Sequence, residues 1–344
     1  MNIPEIDFPN LDSDFIKNPY PHLKELRESS PLHKDTNSNL ILVTRFEGVK
    51  GIQTSKAFSS SQPNDVHKNN KTDSDSYPYF WQTEEFSLLN LEGQLHGELR
   101  GLVAKAFSTR QVQELRPFME AKSNELLNAL KGGSFDLLAD YAQPYSVSVI
   151  GKLLGVPEEQ YDNFLDWSNK IVKMYDLEVS EKSAEEAETA AKDFYFYINE
   201  LIDEKVKNPD DDMISRLSQV TENDQKLTKD QIICTVILLL NAGHEATVNT
   251  IGNSVVALRQ NDIETQGLDE KYEIKKIIEE LIRWDSPLQF FQRWVLEDTN
   301  LDGYELKKNS KVAILLGSAN RDELAFKNGE EINFQRDNLS HTSF

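Results

Sequence analysis

The sequence predicts a mainly α-helical protein with small β-sheets, and three observations predict it. Apolar residues recur at helical spacing over residues 114–130, 185–206 and 272–284. A further segment, residues 229–251, is apolar on every side for much of its length, as a helix running through a core must be. The β signals are short and lie near the two ends, at residues 39–44, 290–295, 301–306 and 311–315. Turn pairs such as Asp302-Gly303 and Lys308-Asn309 interrupt them. No internal repeat is visible.

Composition narrows the function classes. The chain has 344 residues, 38% hydrophobic and 28% charged, enough for one large domain with a real core. The net charge of −21 repels phosphate backbones, so nucleic acid is not an expected partner. No run of eighteen apolar residues occurs, and the N-terminal Met1-Asn2-Ile3-Pro4-Glu5 lacks the pattern of a signal peptide, so a cytoplasmic protein without membrane contact is expected. Cys234 is the single cysteine, which excludes an internal disulfide and a zinc site built on several cysteines. Residues 59–76 are almost free of apolar side chains and read as a mobile loop or lid. Helical pattern continues on both sides of this stretch and of residues 207–212, so one domain over 1–344 is preferred.

The 229–251 segment is the most informative. Thr228 and Gln231 have the spacing of a capping box at its start. Its middle reads Asn241-Ala242-Gly243-His244-Glu245-Ala246-Thr247. A mid-helix glycine costs about 1 kcal/mol relative to alanine, and a buried glutamate is costly unless paired or functional. Small residues beside an acid suit a ligand lying close to the backbone; helix–helix packing at Ala242 and Gly243 is the plain alternative. On the 272–284 helix, Glu280 and Arg283 share a face, and no other arginine has a glutamate three positions before it. Arg336 could complete a buried Glu-Arg-Arg network.

These segments, with several others in the same order, resemble the bacterial cytochrome P-450 family. AGHEAT at 242–247 resembles the family's oxygen-binding helix, and EELIRWDSPLQFFQR at 279–293 its Glu-x-x-Arg helix and following strand. LHGELRGLVAKAFS at 95–108, VIGKLLGVP at 149–157, the stretch around Pro209-Asp210-Asp211, SANRDELAF at 318–326 and HTSF at 341–344 also match. The resemblance implies that family's fold, a helical prism around a haem. It implies haem b, O2, electrons ultimately from NAD(P)H, and a ferredoxin or flavodoxin with its reductase, since no reductase domain is present. The expected protein is a monomer that inserts one oxygen atom into a small apolar substrate.

By the same resemblance, His96 and Arg100, four apart on a helix, bind one haem propionate, and Arg293 and His341 match the other propionate positions. The plain alternative for the first pair is a solvated basic face. Ala242 and Gly243 are expected at the distal haem face and Glu245 in proton delivery. The family has threonine directly after this acid; here Ala246 stands there, with Thr247 one place on, rotated by about 100°. Leu238, Asn241, Ala246, Phe290 and Phe291, with residues 59–89, are expected around the substrate; ordinary core packing is the alternative for the two phenylalanines.

The family's iron ligand is a cysteine thiolate in a Phe-x-x-Gly-x-x-x-Cys loop. Phe344 matches the first Phe of that pattern or the position beside it, and Cys234 lies in the wrong helix. The expectation is therefore a fragment of a monooxygenase that lacks the cysteine loop and last helix, with the iron ligand beyond residue 344 and no activity of its own. The alternative is a haem-free, cysteine-lacking relative that serves as a binding or helper protein. Glycine-rich phosphate loops, His-Glu-x-x-His and Gly-x-Ser-x-Gly are all absent from the sequence.

Overall fold

A computed structural model describes residues 2–9, 12–63, 75–107, 109–130, 132–176, 179–222 and 225–343. Most of the expected 59–76 loop therefore lies outside the described residues. The architecture is mainly helical with small sheets. By its internal contacts the chain divides into two compact units, Lys68–Val248 and Met1–His67 with Asn249–Phe344.

Among its described residues, the regular structure of the Lys68–Val248 unit is helical apart from the short antiparallel pair Thr221–Glu222 and Gln225–Lys226. Its core gathers Leu99, Leu154, Phe164, Phe194, Ile198, Ile233 and Val236. The helix Tyr161–Ile171 packs on Glu181–Lys207 through the Phe164 and Phe194 rings, 4.8 Å apart and edge to face, and the Trp167 ring stacks on Phe194 at 5.2 Å. Gly155 ends the helix Gln143–Leu154 at φ 87°, and the Asp212 carboxyl occupies the space a β-carbon would need.

The helix Lys229–Gln260 begins with the expected reciprocal cap: the Thr228 N–H donates to Gln231 Oε1 at 2.9 Å, and the Gln231 N–H to Thr228 Oγ1 at 3.2 Å. It is long and apolar enough to cross a membrane by length and composition. Protein covers its first part: residues 232 to 237 are each at most 3% exposed, and 56% of the apolar window is buried. The helix runs nine residues past the expected 251, because Asn249, Gly252 and Asn253 do not break it.

The other unit holds a six-stranded sheet in the order Glu5–Ile6, Leu32–Asp35, Ile41–Val43, Lys311–Leu315, Phe290–Val295, Phe58–Ser59. Phe290–Val295 pairs antiparallel with Lys311–Leu315, which sets Arg293 opposite Val312 and Phe291 opposite Ile314. Residues two apart on a strand share a face, so Phe291 and Arg293 point the same way. The helix Ile274–Trp284 buries Ile277 and Leu281 against Ala257 and Phe334.

Three element boundaries differ from the sequence reading. The helix expected over 114–130 spans Arg116–Ala129, because Pro117 suits a first turn and not a helix interior, and a separate helix Thr109–Glu114 precedes it. The 301–306 strand is a hairpin, Thr299–Leu301 with Tyr304–Leu306, turned by Asp302 and Gly303, both at positive φ. The helix expected from 272 starts at Ile274, since Tyr272 caps the short helix Leu268–Lys271 in an extended conformation.

Candidate functional site

Within the Lys68–Val248 unit, the long helix changes character after Leu240. Ala242 is exposed, flanked by buried Asn241 and His244, while Leu238, Glu245 and Ala246 are half-buried. Leu238, Ala242, Glu245 and Ala246 stand at spacings of three and four, so they form one stripe on the helix. Burial pushes the Glu245 carboxyl above its ordinary range. Burial also holds the His244 imidazole down to about 4. Asn241 Oδ1 and His244 Nδ1 are buried with no hydrogen-bond partner among the described residues.

Gly243 faces the helix Gln143–Leu154. A β-carbon there would lie 3.1 Å from Ile150 Cδ1, and Ser146 Oγ donates to the Gly243 and His244 carbonyls at 3.4 and 3.1 Å. Helix–helix contact accounts for this glycine, and the exposed small residue of the pair is Ala242. Thr247 Oγ1 donates to the Gly243 carbonyl at 2.8 Å, so its proton is held within its own helix turn.

His96 and Arg100 lie on the helix Gly93–Ala106, anchored by buried Leu99, Leu102 and Val103. His96 is half-buried and Arg100 exposed, and neither makes a hydrogen bond or ion pair among the described residues.

Within the other unit, Glu280 and Arg283 are fully buried. Arg283 Nε and Nη2 donate to the two Glu280 oxygens at 2.8 Å each, and Arg336 Nε donates to the same carboxylate at 3.1 and 3.2 Å. The Asn333 N–H adds a bond at 2.8 Å. The remaining guanidinium protons go to the carbonyls of Asn320, Gly329 and Glu331 from Arg283, and of Lys327, Asn328 and Glu331 from Arg336. Every charge in the network is thus satisfied, the condition under which burial is tolerable.

Arg293 is half-buried; its Nη1 donates to the Gln292 carbonyl at 2.8 Å, and its guanidinium lies 5.7 Å from the Phe291 ring centre. Phe290 is exposed and Phe291 half-buried, so the core-packing alternative does not describe Phe290. The His341 side chain is 8% exposed, and its Nε2 lies 2.9 Å from Glu279 Oε2.

The donor set fits a haem in part. His96 and Arg100 have no ion-pair partner among the described residues, and Ala242 is exposed beside a half-buried acid. Cys234 does not supply a thiolate: its Sγ donates to the Gln82 carbonyl at 3.3 Å and burial pushes the thiol up to about 12. Sequence reading missed Glu279 and Asn320, whose partners lie 62 and 22 residues away. Asn320 falls inside the SANRDELAF match, which was a signal without a role.

Comparison with known proteins agrees with this geometry. The family model described as Cytochrome P450 matches residues 272–338. The biotin biosynthesis cytochrome P450 of Bacillus subtilis is 31% identical over 96% of this chain and 83% of its own length. The polyketide biosynthesis cytochrome P450 PksS of the same organism is 31% identical over 96% of this chain and 82% of its own. The crystal structure of P450BioI with a hexadecenoic acid-ligated acyl carrier protein superposes with a TM-score of 0.88 at 31% identity, covering 96% of this chain and 86% of that one. The chain, with its Glu-Arg-Arg core and its acid-bearing long helix, belongs to the cytochrome P450 family of haem-dependent monooxygenases.

Proposed function

We propose that residues 1–344 form one P450 domain in which His96, Arg100, Arg293 and His341 hold the carboxylates of haem b, and Ala242 leaves room for O2 beside Glu245. Bound haem supplies the oxygen activation by which one atom of O2 enters an organic substrate. The observation that carries the reading is the stripe on the long helix: an exposed Ala242 one turn from a half-buried Glu245 whose carboxyl is pushed up.

The protein's part in that chemistry is local. A raised Glu245 carboxyl keeps its proton to higher pH than a solvated one, so it can hold and release a proton beside the stripe. Thr247 turns its hydroxyl proton back to the Gly243 carbonyl, and Ala246 has no hydroxyl. Proton passage from Glu245 then uses an ordered water or a hydroxyl of the substrate. Leu238, Asn241, Ala246, Phe290 and Phe291 are read as substrate contacts. Four of the five are apolar, which favours an apolar carbon skeleton, and similar solved structures hold a hexadecenoyl-acyl carrier protein or testosterone. Electrons are read as coming from NAD(P)H through a separate ferredoxin or flavodoxin and its reductase, to a cytoplasmic monomer.

Ala246→Thr tests the proton route. The expected outcome, in haem-loaded protein that includes the family's thiolate loop, is a larger fraction of reductant electrons recovered in product. Unchanged coupling would contradict the route through water or substrate hydroxyl.

A further inference from the structure

One short segment of the Lys68–Val248 unit is held at both ends by groups distant in sequence. The helix Pro78–Glu84 has seven residues, too few to be stable by itself. At its start the Glu188 carboxylate, on the helix Glu181–Lys207, accepts the Tyr79 N–H at 2.9 Å and the Phe80 N–H at 2.8 Å. At its end Glu84 is buried, and its two oxygens accept from the Tyr175 hydroxyl at 2.8 Å and from Asn90 Nδ2 at 2.6 Å. Between these points Phe80 is the apolar anchor, buried, with its ring centre 6.1 Å from that of Tyr175.

This segment covers Cys234. The thiol donates to the Gln82 carbonyl at 3.3 Å, the Phe86 backbone N–H bonds to the sulfur, and Cys234 has no exposed surface. Residues 82–86 must move, or the chain must unfold, before a reagent reaches the sulfur from this side. Tyr175 is 52% exposed while its hydroxyl is turned in to Glu84, so this fastener can part without opening the core. None of Glu84, Asn90, Tyr175 and Glu188 is among the residues read as haem contacts.

We propose that residues 78–90 form a strap that opens as a unit, fastened by Glu188 at its start and by the Glu84–Tyr175 pair at its end, and that its opening uncovers Cys234. Only its part in substrate entry rests on the haem reading, in which residues 59–89 stand around the substrate.

The buried thiol is the reporter. The test follows alkylation of Cys234 by iodoacetamide, read on its own peptide by mass spectrometry, in protein that includes the family's thiolate loop. Each rate is divided by that of the same protein unfolded in urea at the same pH. In the wild type, labelling at low urea should depend on urea much less than global unfolding does, the mark of a local opening. Tyr175→Phe, Glu84→Ala and Glu188→Ala should each speed labelling roughly tenfold, the worth of one charge-assisted hydrogen bond. Glu84→Ala with Tyr175→Phe should do no more than Glu84→Ala alone, because they share one fastener. Glu188→Ala with Tyr175→Phe should multiply the two effects, because they release both ends. Labelling that follows global unfolding throughout, or unchanged rates in Tyr175→Phe and Glu188→Ala, would overturn the strap. Tyr175 lies at the surface, so its variant keeps the test informative if Glu84→Ala fails to fold. The readout is a labelled peptide and neither haem content nor turnover, so failure of the haem reading leaves a different trace.

Discussion

Glu280 accepts hydrogen bonds from two guanidinium groups and a backbone amide, with no water-facing surface. Removing its charge leaves Arg283 and Arg336 buried without an anion. Breaking such a network from one side costs about 3–5 kcal/mol. Glu280→Gln should therefore lower the denaturant midpoint by that much free energy, measured by chemical unfolding of the apoprotein. A loss below about 1 kcal/mol would mean that the carbonyls around the arginines suffice without the carboxylate. The spacing of Glu280 and Arg283 was legible in the sequence because three residues along a helix share a face. Arg336 was legible only as a candidate, since nothing local says that a loop 56 residues on returns to the same carboxylate. Glu279 and His341 were not legible as a pair at all: each has a plausible solvated role, and only the returning segment brings them within 2.9 Å.

At the scale of elements, the long helix shows how a local rule and a tertiary demand combine. Its start follows from Thr228 and Gln231, and its burial from the apolar run before Asn241. The exposure of Ala242 does not follow from sequence, because small residues serve helix contacts and ligand sites equally well; Gly243 took the first role and Ala242 is open to the second. His244 gives this helix a measurable pH dependence. Its folded value of about 4 lies below the usual imidazole value of about 6.5. The unfolded chain therefore binds more protons between these limits, and stability falls as pH drops from 6.5 towards 4, by up to about 3 kcal/mol. Glu245 has the opposite sign: its raised carboxyl favours the folded state at low pH and loses that contribution as pH rises through its folded value. Unfolding free energies of wild type and His244→Gln across pH 4 to 7 should diverge, the variant showing the flatter profile. Parallel profiles would place the imidazole in water.

For the molecule as a whole, the fold class and family were readable because many weak matches occur in one order, from the His96 helix to His341. What stayed hidden depends on long-range closure. The six-stranded sheet draws its strands from residues 5 to 315, so its order cannot be read from any one strand. The thiolate is the other case: Cys234 is the single cysteine, and its burial in the folded chain shows why it stays a neutral thiol. The central claim is that these residues build a haem site whose carboxylate clamps are His96, Arg100 and Arg293. Its most direct measurement is haem bound per purified protein that includes the family's thiolate loop, with wild type compared to the His96→Ala, Arg100→Ala double variant and to Arg293→Ala. The account predicts haem in the wild type and at least a tenfold weaker hold in each variant, the loss expected for a charge-assisted hydrogen bond. A wild type that takes up no haem, or variants that hold it as tightly, would contradict it.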